Sequence, residues 1–198
     1  MKSFVIGITG GSASGKTTLA RMIKDRLGNA VILSMDMYYR CIYKGGGEKK
    51  LNKINFDSPR AIDLQLFRRH LKLLMKGESV KVPIYSFVKH RKIGEKIIRP
   101  AEVIIVEGLF VLYDRTVRNF LDLKIFLDVP ADIRLIRRIK RDIKKRKSSL
   151  NYVLHQWVNF VRPGHEKYVE PYKKFADIIV EGYPEIEVEN IFKKLKRV

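Results

Sequence analysis

An α/β fold with a mainly parallel five-stranded sheet flanked by helices is predicted by three features of this chain. Short apolar runs alternate with longer stretches of helical period, the pattern of successive βα units. The runs, at residues 4–9, 30–35, 103–106, 123–127 and 177–180, are rich in Ile and Val. Strands of that kind are covered on both faces, as in a parallel sheet. Finally, a glycine-rich loop joins the first run to the first helical stretch.

The elements follow in order. After the first run, residues 17–27 carry Leu19, Met22, Ile23 and Leu27 on one side, as an amphipathic helix does. The second run, 30–35, ends against Asp36. Residues 59–75 open with Pro59 and stop before Gly77, the usual punctuation of a helix. The third and fourth runs precede a helix expected over 132–145, with Ile136, Ile139 and Ile143 buried and its basic residues turned outward. A further helix begins at about Leu150 and is expected to end before Pro163. The fifth run is followed by an amphipathic helix over 186–195. With no internal repeat, low-complexity tract or linker beyond Gly45-Gly46-Gly47, residues 1–198 read as a single domain.

Composition limits what that domain can be. Its 198 residues, 45% hydrophobic and 31% charged, suit one globular unit with a real core and argue against disorder. No stretch approaches the roughly 18 uninterrupted apolar residues of a membrane span. Met1-Lys2-Ser3-Phe4 runs straight into a strand rather than a signal peptide, so a cytoplasmic protein is expected. The single cysteine, Cys41, allows no intrachain disulfide and fits a reducing compartment. Lys and Arg number 41 against 21 Asp and Glu, a formal charge of +20. Such an excess attracts polyanions, whether nucleic acid, membrane surface or phosphorylated ligand, and does not choose among them.

The motif that does choose is Gly10-Gly11-Ser12-Ala13-Ser14-Gly15-Lys16-Thr17, which fits G-x-x-x-x-G-K-[ST] between a strand and a helix. Its glycines let the loop fold around an anion while successive backbone N–H groups and the helix N-terminus face the phosphates. Lys16 is expected to reach the β and γ phosphates, and the Thr17 hydroxyl to ligate Mg²⁺. The fold is therefore expected to be that of the P-loop NTPases, binding ATP or GTP.

A phosphate loop says nucleotide, not chemistry. Two carboxylates supply candidates for that. Glu107 ends a buried strand beside the loop, the usual place for a direct or water-mediated Mg²⁺ contact. Asp36 ends the second strand at the same sheet edge and is read either as the base that accepts a substrate hydroxyl proton or as a turn-capping residue. His70, His155 and His165 show no metal-ligand spacing.

Taken together, several blocks resemble the uridine-cytidine kinase family, in order and along nearly the whole chain. They are the loop from Gly10 through Thr18, Asp36-Met37-Tyr38-Tyr39-Arg40, Asn55-Phe56-Asp57-Ser58-Pro59, and Val82-Pro83-Ile84-Tyr85-Ser86-Phe87-Val88-Lys89-His90. Val106-Glu107-Gly108, Arg137-Arg138-Ile139-Lys140-Arg141-Asp142-Ile143, Arg162-Pro163, Tyr168-Val169-Glu170-Pro171 and Ala176-Asp177-Ile178-Ile179 follow. The blocks at Asn55 and Pro83 are far more specific than the phosphate loop. The resemblance implies a nucleoside/nucleotide-kinase-like enzyme with a small substrate-binding β insertion over about 40–100 and a helical lid over about 138–160. It implies ATP-dependent phosphorylation of a pyrimidine nucleoside at its 5′-hydroxyl, with Asp36 as base. Asp57 and Arg138 would hold the ribose hydroxyls, Tyr85 and His90 the pyrimidine. Phe87, Phe56 and Tyr39 would supply apolar walls, and Gln156 a further contact. Arg141 and Arg146 correspond to lid guanidiniums that close over the phosphates. A homo-oligomer is also suggested by the resemblance.

Departures mark where this chain goes its own way. The family's Arg-Gly-Arg in the lid is here Arg146-Lys147-Ser148, and its Pro-Arg-Gly turn after the last strand is Glu181-Gly182-Tyr183-Pro184. They leave room for another nucleoside or small alcohol as acceptor. A regulatory GTPase is set aside because Asn52-Lys53-Ile54-Asn55 lacks the aspartate of the guanine motif. The charge keeps a nucleic-acid-binding ATPase or polynucleotide kinase as the alternative, ranked below a small nucleoside as partner.

Overall fold

The computed structural model describes residues 3–195 except 184 and 187. Met1 and Lys2 at the start and Pro184 in the last turn therefore lie outside the described residues. The chain opens with β1 (Phe4–Gly10), α1 (Lys16–Leu27) and β2 (Ala30–Ser34), then a 3₁₀ turn over Met35–Tyr38. Next come α2 (Gly47–Leu51), α3 (Leu64–Met75), β3 (Val80–Ser86), β4 (Arg91–Ile98), β5 (Val103–Glu107) and the single turn α4 (Arg115–Arg118). They are followed by β6 (Leu123–Asp128), α5 (Ala131–Arg146), α6 (Leu150–Gln156), α7 (Arg162–Tyr168), β7 (Ile178–Glu181) and α8 (Glu189–Leu195).

Five strands form one parallel sheet in the order β2-β5-β1-β6-β7, and β3 and β4 form a separate antiparallel ribbon. The parallel strands are the five Ile- and Val-rich runs. The inner strands are covered on both faces, one by a core around Phe67, Leu71, Val106 and Phe126, the other by a core around Leu19, Ile23, Ile105 and Ile125, while the edge strand β7 leaves Ile179 exposed. That two-sided burial is why these strands show no polar alternation. By contrast β4 is exposed along all but its last residue, and it alternates little because it has almost no core to face.

Three helices depart from the pattern their sequences suggest. The stretch 59–75 is not one helix. Pro59–Ala61 makes a 3₁₀ turn, Ile62 is extended, and Asp63 caps a new helix by accepting the Leu66 N–H at 3.1 Å. The break lets Tyr39 and Ile62 form an antiparallel bridge, with Arg40 N–H donating to Ala61 and Asp63 N–H to Tyr38. Pairing with a neighbouring segment has overridden local helical preference.

Helix α5 is turned inside out. Ile136 and Ile143 are 48% and 43% exposed, while Arg134, Arg138 and Asp142 are buried at i, i+4 and i+8. Periodicity located the helix correctly but assigned the wrong face, because this helix roofs a charged cavity rather than the sheet. Third, the helix from Leu150 does not stop at Pro163. A π-helical turn over Trp157–Val161 passes the Arg162 N–H to the Trp157 carbonyl, and α7 continues with Pro163 in its first turn. The widened turn spares the proline ring the i−4 carbonyl it would otherwise strike.

Helix α5 ends on Lys147 at φ 59° and ψ 29°, a left-handed position that favours glycine. An L side chain there costs about 1–2 kcal/mol, and glycine's greater chain freedom returns part of that. Lys147→Gly is accordingly expected to stabilise the protein by about 1 kcal/mol and raise Tm by about 2–4 °C in a thermal melt. An unchanged or lower Tm would show that the end of α5 is not strained.

Candidate active site

At the carboxyl edge of the parallel sheet lies a cavity of about 580 Å³. The phosphate loop forms one wall. Gly15 sits at φ 106° as the residue before α1, a conformation glycine adopts freely. No side chain caps that helix end, so its first N–H groups stay available to an anion. A Cβ on Gly11 would lie 2.5 Å from the Arg134 guanidinium, so a side chain there would have to displace the tip of Arg134. Lys16 is buried and its Nζ donates to the Gly11 carbonyl at 2.8 Å. Burial lowers its pKa, and the Glu107 and Asp36 charges oppose that shift.

Ser12, Ala13, Gly15, Lys16, Thr17 and Thr18 line the cavity; Gly10, Gly11 and Ser14 form the loop behind them. Opposite stand Asp36 and Glu107. Strand pairing of Ser34 with Glu107, and of Glu107 with Ile8, brings the ends of β2, β5 and β1 to one edge. The Ser34 Oγ accepts the Asp36 N–H at 3.3 Å and fixes the turn that carries this carboxylate, which is half-buried. Glu107 is 2% exposed. Burial raises its pKa first, the Asp36 charge adds to that, and hydrogen bonds with Ser34 and Thr17 and the Lys16 charge act against it. Two carboxylates and a threonine hydroxyl are hard oxygen donors, and their crowded negative charge is what a divalent cation would relieve. The set fits Mg²⁺, which needs only one or two carboxylates when phosphate oxygens complete its shell.

Aromatic rings close another side. Tyr39 meets Phe56, Tyr85 and Phe87 at centroid distances of 6.4, 5.4 and 5.5 Å, and His90 stacks on Phe56 at 5.1 Å. His90 takes a left-handed φ of 49° at the tip of the hairpin. Burial, then the Arg146 charge, lowers its pKa and keeps the imidazole neutral. Tyr85 Oη and His90 Nδ1 are buried polar atoms with no partner among the described residues. Such atoms in a cleft are rare in the absence of a ligand-binding role. Tyr85 itself stands behind Tyr39 and Phe87 rather than on the cavity surface.

The α5 roof carries the charge. Arg138 donates to Ser12 Oγ at 2.8 Å and lies 4.0 Å from Asp57, which is buried beneath it. Asp57 is held by an Asn55 side chain that accepts its N–H at 2.9 Å. Its pKa is raised by burial, against the pull of Arg138, Arg146 and Arg141. Arg146 lies 3.9 Å from the Phe87 ring centroid, tying the roof to the hairpin. At the centre is Asp142. Its carboxylate accepts a hydrogen bond from Arg141 Nε at 2.7 Å and forms ion pairs with Arg138 and Arg146, whose Nε atoms each lie 3.3 Å away. Burial pushes this carboxyl up, but the Arg141 hydrogen bond and the charges of Arg146, Arg141 and Arg138 outweigh it and hold it below the usual carboxylate range.

Asp142 was missed by the sequence reading, which gave it no role. The signal was there: it lies four residues from both Arg138 and Arg146, so all three share a helix face. Arg21, Arg137 and Gly182 also line the cavity, and Arg137 Nη2 donates to the Gly182 carbonyl at 3.0 Å. Gln156 is buried away from the cavity, its Nε2 donating to the Leu51 carbonyl at 3.1 Å and its Oε1 unpartnered. Among the described residues no group of three or more His, Cys, Asp or Glu forms a metal cluster, and no helix is long and apolar enough to cross a membrane.

Comparison with known proteins identifies the family and the fold. The phosphoribulokinase/uridine kinase family matches residues 5–189. A uridine kinase of Borrelia garinii subsp. bavariensis is 44% identical over 177 residues, covering 89% of this chain and 85% of that protein. Another, from Clostridium tetani, is 40% identical over 202 residues, covering 100% of this chain and 96% of its own length. Among solved structures, phosphoribulokinase from Rhodobacter spheroides superposes with a TM-score of 0.69 at 18% identity, over 91% of this chain and 70% of that one. At that identity the structural likeness speaks for the fold alone.

Proposed function

The chain belongs to the phosphoribulokinase/uridine kinase family, and from that premise we propose that it transfers the γ-phosphoryl group of ATP, or of GTP, to the 5′-hydroxyl of uridine or cytidine. One observation carries the choice of acceptor. Tyr39, Phe56 and Phe87 line the cavity beside His90, whose buried Nδ1 has no partner among the described residues, and apolar walls with one free polar edge match a flat heterocycle.

In this reading the loop N–H groups and Lys16 hold the β and γ phosphates. Asp57 and Arg138, adjacent and buried, engage the ribose hydroxyls and fix the sugar. Asp36 accepts a hydrogen bond from the 5′-hydroxyl and orients its oxygen. That oxygen forms a bond to the γ phosphorus as the bond from phosphorus to the β–γ bridging oxygen breaks. ADP leaves with the electron pair, and the hydroxyl proton passes to Asp36. Arg141 and Arg146 reach over the cavity and stabilise charge on the transferring group, within a roof that keeps water out. Thr17 and Glu107 would hold Mg²⁺, whose charge neutralises the triphosphate. The same reading puts the enzyme in the cytoplasm, acting on a diffusible substrate, with residues about 40–100 binding the nucleoside and about 138–160 serving as lid. A homo-oligomer is the expected assembly.

ADP release, with ATP and Mg²⁺, is the test, run against uridine, cytidine, other nucleosides, pantothenate and single-stranded oligonucleotide, with products identified by mass. Uridine or cytidine should give the 5′-monophosphate. Turnover confined to another alcohol would overturn the acceptor assignment, and stimulation by oligonucleotide would favour a nucleic-acid-directed ATPase.

A further inference from the structure

A second cavity, of about 320 Å³, shares Tyr39 with the first. It is bounded by the segment that follows Asp36, by α3 and by the β3–β4 ribbon. Four cations line it, Arg40, Arg69, Lys81 and Lys92, against two acids, Asp63 and Glu95. Both acids are already matched: Arg40 lies 3.5 Å from Asp63, and Lys92 pairs with Glu95. Arg69 and Lys81, both exposed, enter no salt bridge among the described residues, and although the Lys81 charge also acts on Glu95, the lining keeps two positive charges in excess. His70, only 8% exposed, also lines it, its Nδ1 2.9 Å from the Tyr38 hydroxyl. Met37, Leu66 and Pro83 add an apolar side. None of these groups has a part in phosphoryl transfer.

We propose that this cavity is an effector site for a small phosphomonoester, with the phosphate held by Arg69 and Lys81 and the organic part against Met37, Leu66 and Pro83. A dianion matches two positive charges in excess, and an arginine fork suits phosphate geometry. The volume is at the small end of ligand pockets, which fits a sugar phosphate and excludes a nucleoside triphosphate. Occupancy presses on Met37 and Tyr39, and Tyr39 is a wall of the aromatic cluster, so the KM for nucleoside changes while the KM for ATP does not. That coupling rests on the nucleoside kinase reading; the binding itself does not.

Cys41, exposed and the only cysteine in the chain, lines this cavity and reports on it directly. Its alkylation rate by iodoacetamide is measured at constant ionic strength, with uridine and Mg·ADP saturating the main cavity. The probes are ribose 5-phosphate, inorganic phosphate and, as the uncharged control, ribose. Ribose 5-phosphate is expected to slow alkylation by about tenfold at ten times its half-saturating concentration, as mass action requires. Ribose should leave the rate unchanged, and Arg69→Gln/Lys81→Gln should abolish the protection while keeping basal turnover. Protection by inorganic phosphate as strong as by ribose 5-phosphate would overturn the phosphomonoester assignment. Absent protection, or equal protection in the double variant, would overturn the site. Protection with an unchanged nucleoside KM would overturn the coupling.

Discussion

Replacing Asp36 by Asn is expected to lower kcat by about 10³-fold while leaving ATP affinity and thermal stability close to those of the native protein. The amide keeps the size of the carboxylate and its place on the Met35–Tyr38 turn, which the Ser34 hydroxyl and the Asp63–Tyr38 backbone bond hold independently. What it would lose, under the proposed mechanism, is the ability to take the hydroxyl proton. Asp36 is only half-buried and forms no salt bridge among the described residues, and Glu107, the larger of the two charges acting on Lys16, stays in place when it is replaced. Removing it also relieves the crowding that pushes up the Glu107 carboxyl. Steady-state kinetics with equilibrium ATP binding decide the matter: full turnover in the variant would remove Asp36 from the role of base, and a parallel loss of ATP binding would make it a nucleotide ligand instead.

Asp142→Asn is expected to act quite differently, through stability as well as rate. Asp142 is the counter-charge for Arg138, Arg141 and Arg146, and its side chain is 4% exposed. Breaking a buried pair by removing one partner costs about 3 kcal/mol, because the three cations left behind repel one another and Arg138, 9% exposed, is largely shielded from water. For a chain of this size that lowers Tm by about 6–12 °C. The guanidiniums so released still face the cavity, so ATP should restore more of the lost Tm in the variant than it adds to the native protein. A merely structural aspartate would show the loss without the extra rescue. Acid titration supplies a second readout. Since the folded carboxyl sits below its unfolded value of about 4, its contribution is present at neutral pH and is lost as pH falls below that value through the lower folded one. Native protein should therefore lose stability across that acidic window by more than Asp142→Asn does. Equal acid profiles would count against the three-arginine arrangement.

Some of this was readable in the chain before any fold was known. The five parallel strands were, because strands largely buried on both faces leave short apolar runs rich in Ile and Val. So was the phosphate loop, whose spacing fixes its chemistry with no help from distant residues. Other features required the tertiary structure, each for a definable reason. Ile136 and Ile143 form as good an apolar stripe as any on a buried helix, but what α5 buries is decided by the charged cavity beneath it, and so Arg138 and Asp142 point inward. Pro163 reads as a stop, and only the π turn before it shows how the helix passes through. The joining of Asp36, Asp57, Glu107 and Arg138 at one sheet edge depends on strand order and on the Tyr39–Ile62 bridge, both contacts between residues far apart in sequence. Residue types and local spacing determined which chemistry the chain could carry. Long-range packing alone decided which face of each helix meets it, because burial is a property of the neighbours a segment acquires and not of the segment itself.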